Sequence, residues 1–367
     1  MATTLNNDFI LFSTGQTIGA SSSATMKNRI INGDMRIDQR SNGGNSTVTS
    51  TGYYSCDRWQ EFASQSSKYS IQQNAGGITP PSGFANYLGA TSLSAYLVTS
   101  SDYFFLSQAI EGYNISDLAW GTSNAKTVTL SFWVYSSLTG TFGGSLRNSA
   151  ATRSYPFSYT ISVANTWTYI TITIAGDTTG TWLINNSAGI QLAFSLGAGS
   201  TYSGTAGSWS SNNYVSATGA TSVVGTSGAT FYITGVQFEE GSAPTSFDYR
   251  PYGTELQLCQ RYYSRILAGN VNASLGGVGA WGASTAAQIM FQYPVPMRTF
   301  PTFNQSLVYL ANGVSGFPVT SINAVYTGQT TMQISAVASA ATATPGQGAY
   351  LYAGTSGSAY VEFNAEL

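Results

Sequence analysis

No histidine occurs among the 367 residues of this chain, and that absence removes most catalytic chemistry before any other feature is weighed. Ser-His-Asp and Cys-His nucleophile activation need an imidazole to take the proton, and His-containing zinc sites need its ring nitrogen. The two cysteines, Cys56 and Cys259, are too few for a four-thiolate zinc site and are expected to be buried, reduced thiols. What remains is a carboxylate pair of the glycosidase type, which requires two acids about 5 to 9 Å apart in a cleft. The chain offers Asp34 with Asp38, Asp57 with Glu61, and Glu239 with Glu240. Neighbours on a strand point to opposite faces, so Glu239 and Glu240 do not converge on one bond. The expectation is a protein without catalytic residues, metal ligands or cofactor.

Sugar recognition is a chemistry for which the residues abound. Aromatic faces stack on pyranose rings while amides and hydroxyls hydrogen-bond the ring oxygens. The chain carries 7 Trp, 24 Tyr and 18 Phe amid many Asn, Ser and Thr, so abundance makes location the harder question. Trp133, Trp167 and Trp182 sit in or beside strand patterns and read as core. Residues 201–217 (TYSGTAGSWSSNNYVSA) differ, because Tyr202, Trp209 and Tyr214 stand among small polar residues without alternation. These three are the first glycan-binding candidates. Further along, residues 276–284 with Trp281, 309–317 with Tyr309, and 342–357 with Tyr350 and Tyr352 read as loops able to carry receptor contacts.

Charged residues make up 8% of the chain against a usual share of about 25%. Its surface is therefore hydroxyl and amide, which suits an extracellular adhesin or virion part exposed to varying salt and pH. The 43% apolar and 13% aromatic content supplies a core and excludes a disordered chain. A net charge of −2 with three lysines, Lys27, Lys68 and Lys126, argues against a nucleic-acid partner. No apolar run reaches the roughly 18 residues of a membrane span. Residues 1–12 (MATTLNNDFILF) show no secretory pattern, so synthesis and assembly in a cytoplasm are expected.

Alternation predicts strands nearly throughout. Residues 127–135 (TVTLSFWVY) put Val128, Leu130, Phe132 and Val134 on one face, and residues 169–174 (YITITI) repeat the pattern. Further strands are expected at 94–99, 103–109, 155–163, 181–184, 191–196, 229–238, 288–294, 307–310, 332–336 and 359–364, with Gly, Asn and Ser clusters between them. Many short strands with frequent turns imply a sandwich or barrel. One helix is expected after the Pro251 and Gly253 breaks, capped by Thr254 with Gln257 and carrying Leu256, Cys259, Tyr263 and Ile266 on one face. No internal repeat of 20 to 50 residues and no heptad tract occurs.

Residues 28–39 (NRIINGDMRIDQ) and 231–265 (FYITGVQFEEGSAPTSFDYRPYGTELQLCQRYYSR) together resemble the bounding motifs of a family of bacteriophage tail-fibre and receptor-binding proteins. Residues 57–59 (DRW), 129–134 (TLSFWV), 166–169 (TWTY) and 204–209 (GTAGSW) fit the same order, and residues 293–302 contain the family's recurrent P-M-R-x-x-P-T. The resemblance covers residues 28 to 367. It implies an all-β chain: a virion anchor over residues 1–26, a jelly-roll-like, carbohydrate-binding-module-like β-sandwich over 27–250, and a smaller β-rich tip domain with one linking helix over 251–367. Phe9, Ile10, Leu11 and Phe12 are the expected anchor contacts.

Trp209 belongs to a shared motif, which favours a packing role for it, and Asp34, Asp57 and Glu239 are expected to pair with Arg36 or Arg58. Family sandwiches often hold a structural Ca²⁺ through acids in a Tyr-Ile-Asp-Asp-Val pattern. Here Tyr232-Ile233-Thr234-Gly235-Val236 lacks both acids, leaving main-chain oxygens with Asp34 as the remaining possibility for such an ion. The function implied is a homotrimeric virion structural protein that docks on a tail or capsid protein by its N-terminus and attaches to host-surface polysaccharide without catalysis. Two alternatives stand beside it: a capsid-decorating or tail-assembly cement protein, and a polysaccharide depolymerase.

Overall fold

The computed structural model describes residues 26–313, 315–339 and 343–367, together with the backbone of three short paired strands, Leu5–Asn6, Phe9–Leu11 and Thr17–Gly19. The side chains of the expected anchor, Phe9 to Phe12, lie outside the described residues.

The chain is all-β, with two sheets packed face to face over residues 46–240. One has five strands in the order Ser154–Ile161, Gly140–Asn148, Ala188–Ala198, Tyr103–Glu111, Gln60–Ala63. The other has six, in the order Thr168–Ile174, Val128–Ser136, Thr230–Glu240, Leu88–Ser92, Tyr69–Gln73, Ser46–Thr47. Neighbours within both sheets run antiparallel. Alternate residues meet in the middle: Phe104, Leu106 and Ile110, Phe142 and Leu146, and Ile190, Leu192, Phe194 and Leu196 from the first sheet; Val128, Leu130, Phe132, Val134, Phe231 and Ile233 from the second. Period-2 alternation assigns these residues to one face and their neighbours to the other.

Two expected strands, 94–99 and 181–184, are irregular segments, though Tyr96, Val98 and Trp182 still pack on the core. Strand Gly140–Asn148 went unrecognised because glycines hide its pattern. Those glycines are required by close approach, since a Cβ on Gly144 would sit 2.3 Å from the Ala193 carbonyl oxygen and 2.4 Å from the Phe157 ring.

The helix spans Tyr252–Gln260 and begins directly after Pro251, so Thr254 lies inside it rather than capping it. Tyr263 and Ile266 are not on the helix; they belong to strand Tyr263–Leu267. Glu255, placed in the first turn, turns inward and pairs with Arg250 at 3.2 Å.

Strand Tyr263–Leu267 forms a three-stranded sheet with Tyr360–Asn364 and Thr302–Ser306. Between them the chain closes a six-stranded barrel, ordered Ser274–Trp281, Ala286–Gln292, Thr331–Ala338, Gly316–Thr327, Val308–Ala311, Gly348–Ala353. Trp281, Tyr350 and Tyr352, expected on loops, therefore lie on barrel strands, while Tyr309 lies in the strand expected over 307–310. Closure leaves no free edge, and Leu275, Trp281, Ile289, Leu310, Ile334 and Leu351 fill the interior.

The family-like motifs converge where sandwich, helix and last strand meet. Arg250 donates to the main-chain oxygens of Asn28 and Ile30 and to the Glu255 carboxylate. Arg261 pairs with Glu111 at 2.6 Å, and Arg298 donates to the main-chain oxygens of Asn186, Ala365 and Glu366. Asn32 holds residues 37 and 57 through its side-chain amide. Few charges exist in this chain, and the buried Glu111, Arg250 and Glu255 all serve this joint.

Candidate functional site

The outer face of the five-stranded sheet carries Phe62, Tyr103, Phe105, Gln191 and Arg147, the residues that alternate with the core set. Residues 199–217 leave the end of strand Ala188–Ala198 and fold back over this face. A short parallel pairing, Ser203 with Ser216 and Gly204 with Ala217, closes the excursion on itself. Tyr202 and Val215 then pack on Phe105 and Ala193. Gly204 permits the closure, because a Cβ there would lie 2.2 Å from the Tyr214 ring.

What the loop leaves uncovered is a pocket of about 160 Å³ lined by Phe62, Tyr103, Phe105, Arg147, Tyr202, Asn213 and Val215. Phe62 stacks on Phe105 with ring centres 4.3 Å apart, and Tyr202 meets Tyr103 edge-on at 5.1 Å. Arg147 is 6% exposed. Its Nη1 donates to Asn213 Oδ1 at 2.7 Å and its Nη2 to Gln191 Oε1 at 3.1 Å, while the guanidinium carbon stands 5.3 Å from the centre of the Phe105 ring.

None of the carboxylates among the described residues pairs with Arg147, and its Nε has no hydrogen-bond partner there. Burial pushes the guanidinium down to about 10, which still leaves it charged at neutral pH. A buried cation served only by amide oxygens and aromatic rings is a costly arrangement for a fold to keep. An incoming anion or a set of sugar hydroxyls would complete its shell. The volume is below the roughly 300–1,000 Å³ of clefts that engulf a whole ligand, so the pocket suits one residue of a longer chain.

The sequence-derived candidates separate in the structure. Tyr202 is in the pocket. Trp209 is not: it packs among Trp120, Trp182 and Tyr155 at 5.1–5.5 Å, and its indole donates to the Ala175 oxygen. Tyr214 lies against Gly204 with its hydroxyl on the Asn212 amide, bracing the loop. Trp281 is 1% exposed inside the barrel and offers no face to a ligand. Tyr309, Tyr350 and Tyr352 do come together, since Tyr309 and Tyr352 are register partners with rings 5.8 Å apart and Tyr350 lies 6.1 Å from Tyr352. They form a tyrosine row on the barrel wall.

Reading Trp133 and Trp167 as core is corrected, for both lie on the outer face of the six-stranded sheet, where Trp167 donates to the Thr79 oxygen; Trp182 alone of the three is core. Sequence reasoning missed Arg147, Tyr103, Phe105 and Phe62. A signal was available in residues 103–106 (YFFL), which are apolar on both faces and so mark a strand covered on both sides.

The carboxylate pairs fall elsewhere. Asp34 bonds Arg36 at 3.0 Å, and Asp38 accepts from Ser41 and Gly43 to shape a turn. Asp57 and Glu61 are fully buried; Asp57 faces Arg40 and Gln39 rather than Arg58, whose partner is Glu366. Glu239 accepts from Thr245 and Gln237 and meets no arginine, while Glu240 pairs with Lys126 on the surface. Both cysteines are free and buried. Thr234, at the position of a family calcium acid, donates to the Asn86 oxygen. Among the described residues no group of three or more Cys, Asp or Glu side chains is gathered as a metal site.

No protein-family model matches the chain, and no match is found among curated proteins. Solved structures similar to it include the enzymatically active domain of tailspike protein 4 from bacteriophage CBA120, at 11% identity over 59% of this chain and a TM-score of 0.29. This chain spans 22% of that tailspike chain. Two others are TmCBM61 in complex with β-1,4-galactotriose, at 9% identity over 50% of this chain and 88% of the other with a TM-score of 0.26, and the family 11 carbohydrate-binding module of the cellulosomal cellulase Lic26A-Cel5E of Clostridium thermocellum, at 11% identity, 54% and 96% coverage and a TM-score of 0.26. At these scores the likeness adds nothing to the fold read from the sheet order.

Proposed function

We propose that this chain is a bacteriophage attachment protein of the tail-fibre or receptor-binding type, which holds a host-surface polysaccharide without transforming it. The observation that carries the binding step is Arg147, a buried cation with no carboxylate partner at the side of an aromatic pocket. A pyranose ring placed against Tyr103 and Tyr202 would satisfy its apolar face, and a carboxylate or vicinal hydroxyls on it would take the guanidinium. Acidic sugars, such as uronic residues of a capsule, fit this pocket best.

The assignment to a phage particle rests on the motif resemblance. In this reading the N-terminal residues dock on the virion, three copies assemble, and modest affinities sum through multivalent contact. The carboxylate pairs considered for glycoside cleavage are buried or tied into turns and ion pairs, which supports binding without turnover.

Incubating the purified chain with host cells tests the reading. Retention competed by purified capsule or lipopolysaccharide, with no new reducing ends, is the expected result. Retention on particles but not on cells would give the chain a cementing role instead, and release of reducing ends would make it a depolymerase.

A further inference from the structure

The opposite sheet carries a second aromatic groove of different character. Its volume is about 260 Å³ and its lining is Phe84, Ser131, Trp133, Tyr169, Gly235, Thr245, Ser246, Phe247 and Tyr249, without a charged side chain. One wall is Trp133 with Tyr169, register partners on adjacent strands with ring centres 5.2 Å apart. The other is a mutually packed trio, Phe84, Phe247 and Tyr249, at 4.8–5.6 Å.

The backbone is shaped to leave this groove open. Between the pairs Thr234 with Trp133 and Gln237 with Ser131, strand Thr230–Glu240 holds Gly235 and Val236 opposite the single Phe132, which is a β-bulge. Gly235 takes a left-handed φ of 60°, and a Cβ there would lie 2.6 Å from the Phe84 ring and 3.1 Å from Trp133. A side chain at this position would push the two walls apart or fill the floor.

Tyr169 and Tyr249 are 44% and 54% exposed, so aromatic surface stands in water on both walls. Among the described residues the Trp133 indole N–H and the Tyr169 hydroxyl have no protein partner, while Tyr249 is fixed by its bond to the Gly83 oxygen at 2.9 Å. Clustered exposed rings with free donors and hydroxyls beside them are the chemistry of pyranose stacking.

We infer that the groove between Trp133 and Tyr249 on the six-stranded sheet is a second saccharide site, specific for neutral sugars. Its lack of charge sets it apart from the Arg147 pocket, so the two faces of the sandwich would take chemically different sugars. The neutral specificity follows from the lining: a carboxylate entering here would lose its water without meeting a cation.

Neutral hexasaccharides of glucose, galactose and mannose, arrayed and then titrated calorimetrically against the full chain, provide the test. At least one is expected to bind, and Trp133→Ala, Tyr169→Ala and Tyr249→Ala are each expected to weaken it by about tenfold, the factor that 1.4 kcal/mol supplies. Trp133→Phe keeps the stacking face and loses the N–H, so an intermediate affinity is expected, and it guards against misfolding of the alanine variant. Titrating an acidic oligosaccharide against the same three alanine variants separates failure of this site from failure of the first, since none of the three residues lines the Arg147 pocket and acidic binding there should be unmoved. Absence of any neutral ligand, or affinities unmoved by all three alanine variants, overturns the inference. So does a change in oligomeric mass with Tyr249→Ala at unaltered sugar binding, which would make this face a contact between copies.

Discussion

Arg58 and Glu366 stand 308 positions apart in the chain, yet their side chains form one ion pair with only 1% and 4% of their surface exposed. Arg58 precedes the sandwich strand Gln60–Ala63, and Glu366 follows the last strand, Tyr360–Asn364. Arg40 joins from the same side at 3.1 Å, and the Arg58 guanidinium stacks 3.6 Å from the centre of the Tyr262 ring. The pair ties the start of the sandwich to the end of the chain.

Breaking that pair should loosen the joint as a whole. Glu366→Gln leaves Arg58 buried without its counter-charge, which costs about 3–5 kcal/mol. Replacing both together, by Arg58→Met with Glu366→Leu, should recover most of the loss. Calorimetric melting of the three variants checks this, and an undisturbed melting temperature for Glu366→Gln alone would contradict it.

Stability should fall as pH rises from about 5 to about 8. Burial pushes Asp57 up to about 7 against the opposing pull of Arg40, and burial likewise pushes Glu61 up to about 8. In the unfolded chain both are ionised above about pH 5. Across that window the folded state holds more protons, so the stabilisation is complete below the unfolded values and is lost as pH passes the folded ones. Asp102 acts in another range: hydrogen bonds from Thr99 and Tyr96 outweigh its burial and hold it down to about 2. Melting temperatures measured from pH 5 to pH 8.5 should decline, and Asp57→Asn with Glu61→Gln should flatten the decline.

Arg147→Gln should separate binding from stability. Retention on an acidic polysaccharide is expected to drop by about tenfold or more, since a charge-assisted contact contributes about 1.5–3 kcal/mol. The melting temperature is expected to hold or rise, because a buried cation without a carboxylate partner is removed. Titration calorimetry and melting on one preparation measure both effects.

Trp209→Ala should do the reverse. It removes the ring that packs on Trp120, Trp182 and Tyr155, for a loss of about 3 kcal/mol, and leaves the pocket walls Tyr103 and Tyr202 in place. Equal melting temperatures with lost binding would return Trp209 to the list of ligand residues.

The sequence by itself determined the all-β class, the inward set of strand Val128–Ser136, the buried reduced thiols and the lack of imidazole chemistry, because period-2 alternation and residue inventory are local properties. Alternation also implied that Trp133 faces away from Val134, although its size and strand setting suggested core. Only the tertiary structure decided which outward face is covered and by what. Tyr202 reaches a pocket and Trp209, seven positions on, reaches the core, because residues 199–217 fold across one sheet and no local pattern records where a loop lands. Arg147 could not be told from a solvated arginine until Phe105, Gln191 and Asn213, from three separate stretches of chain, closed around it.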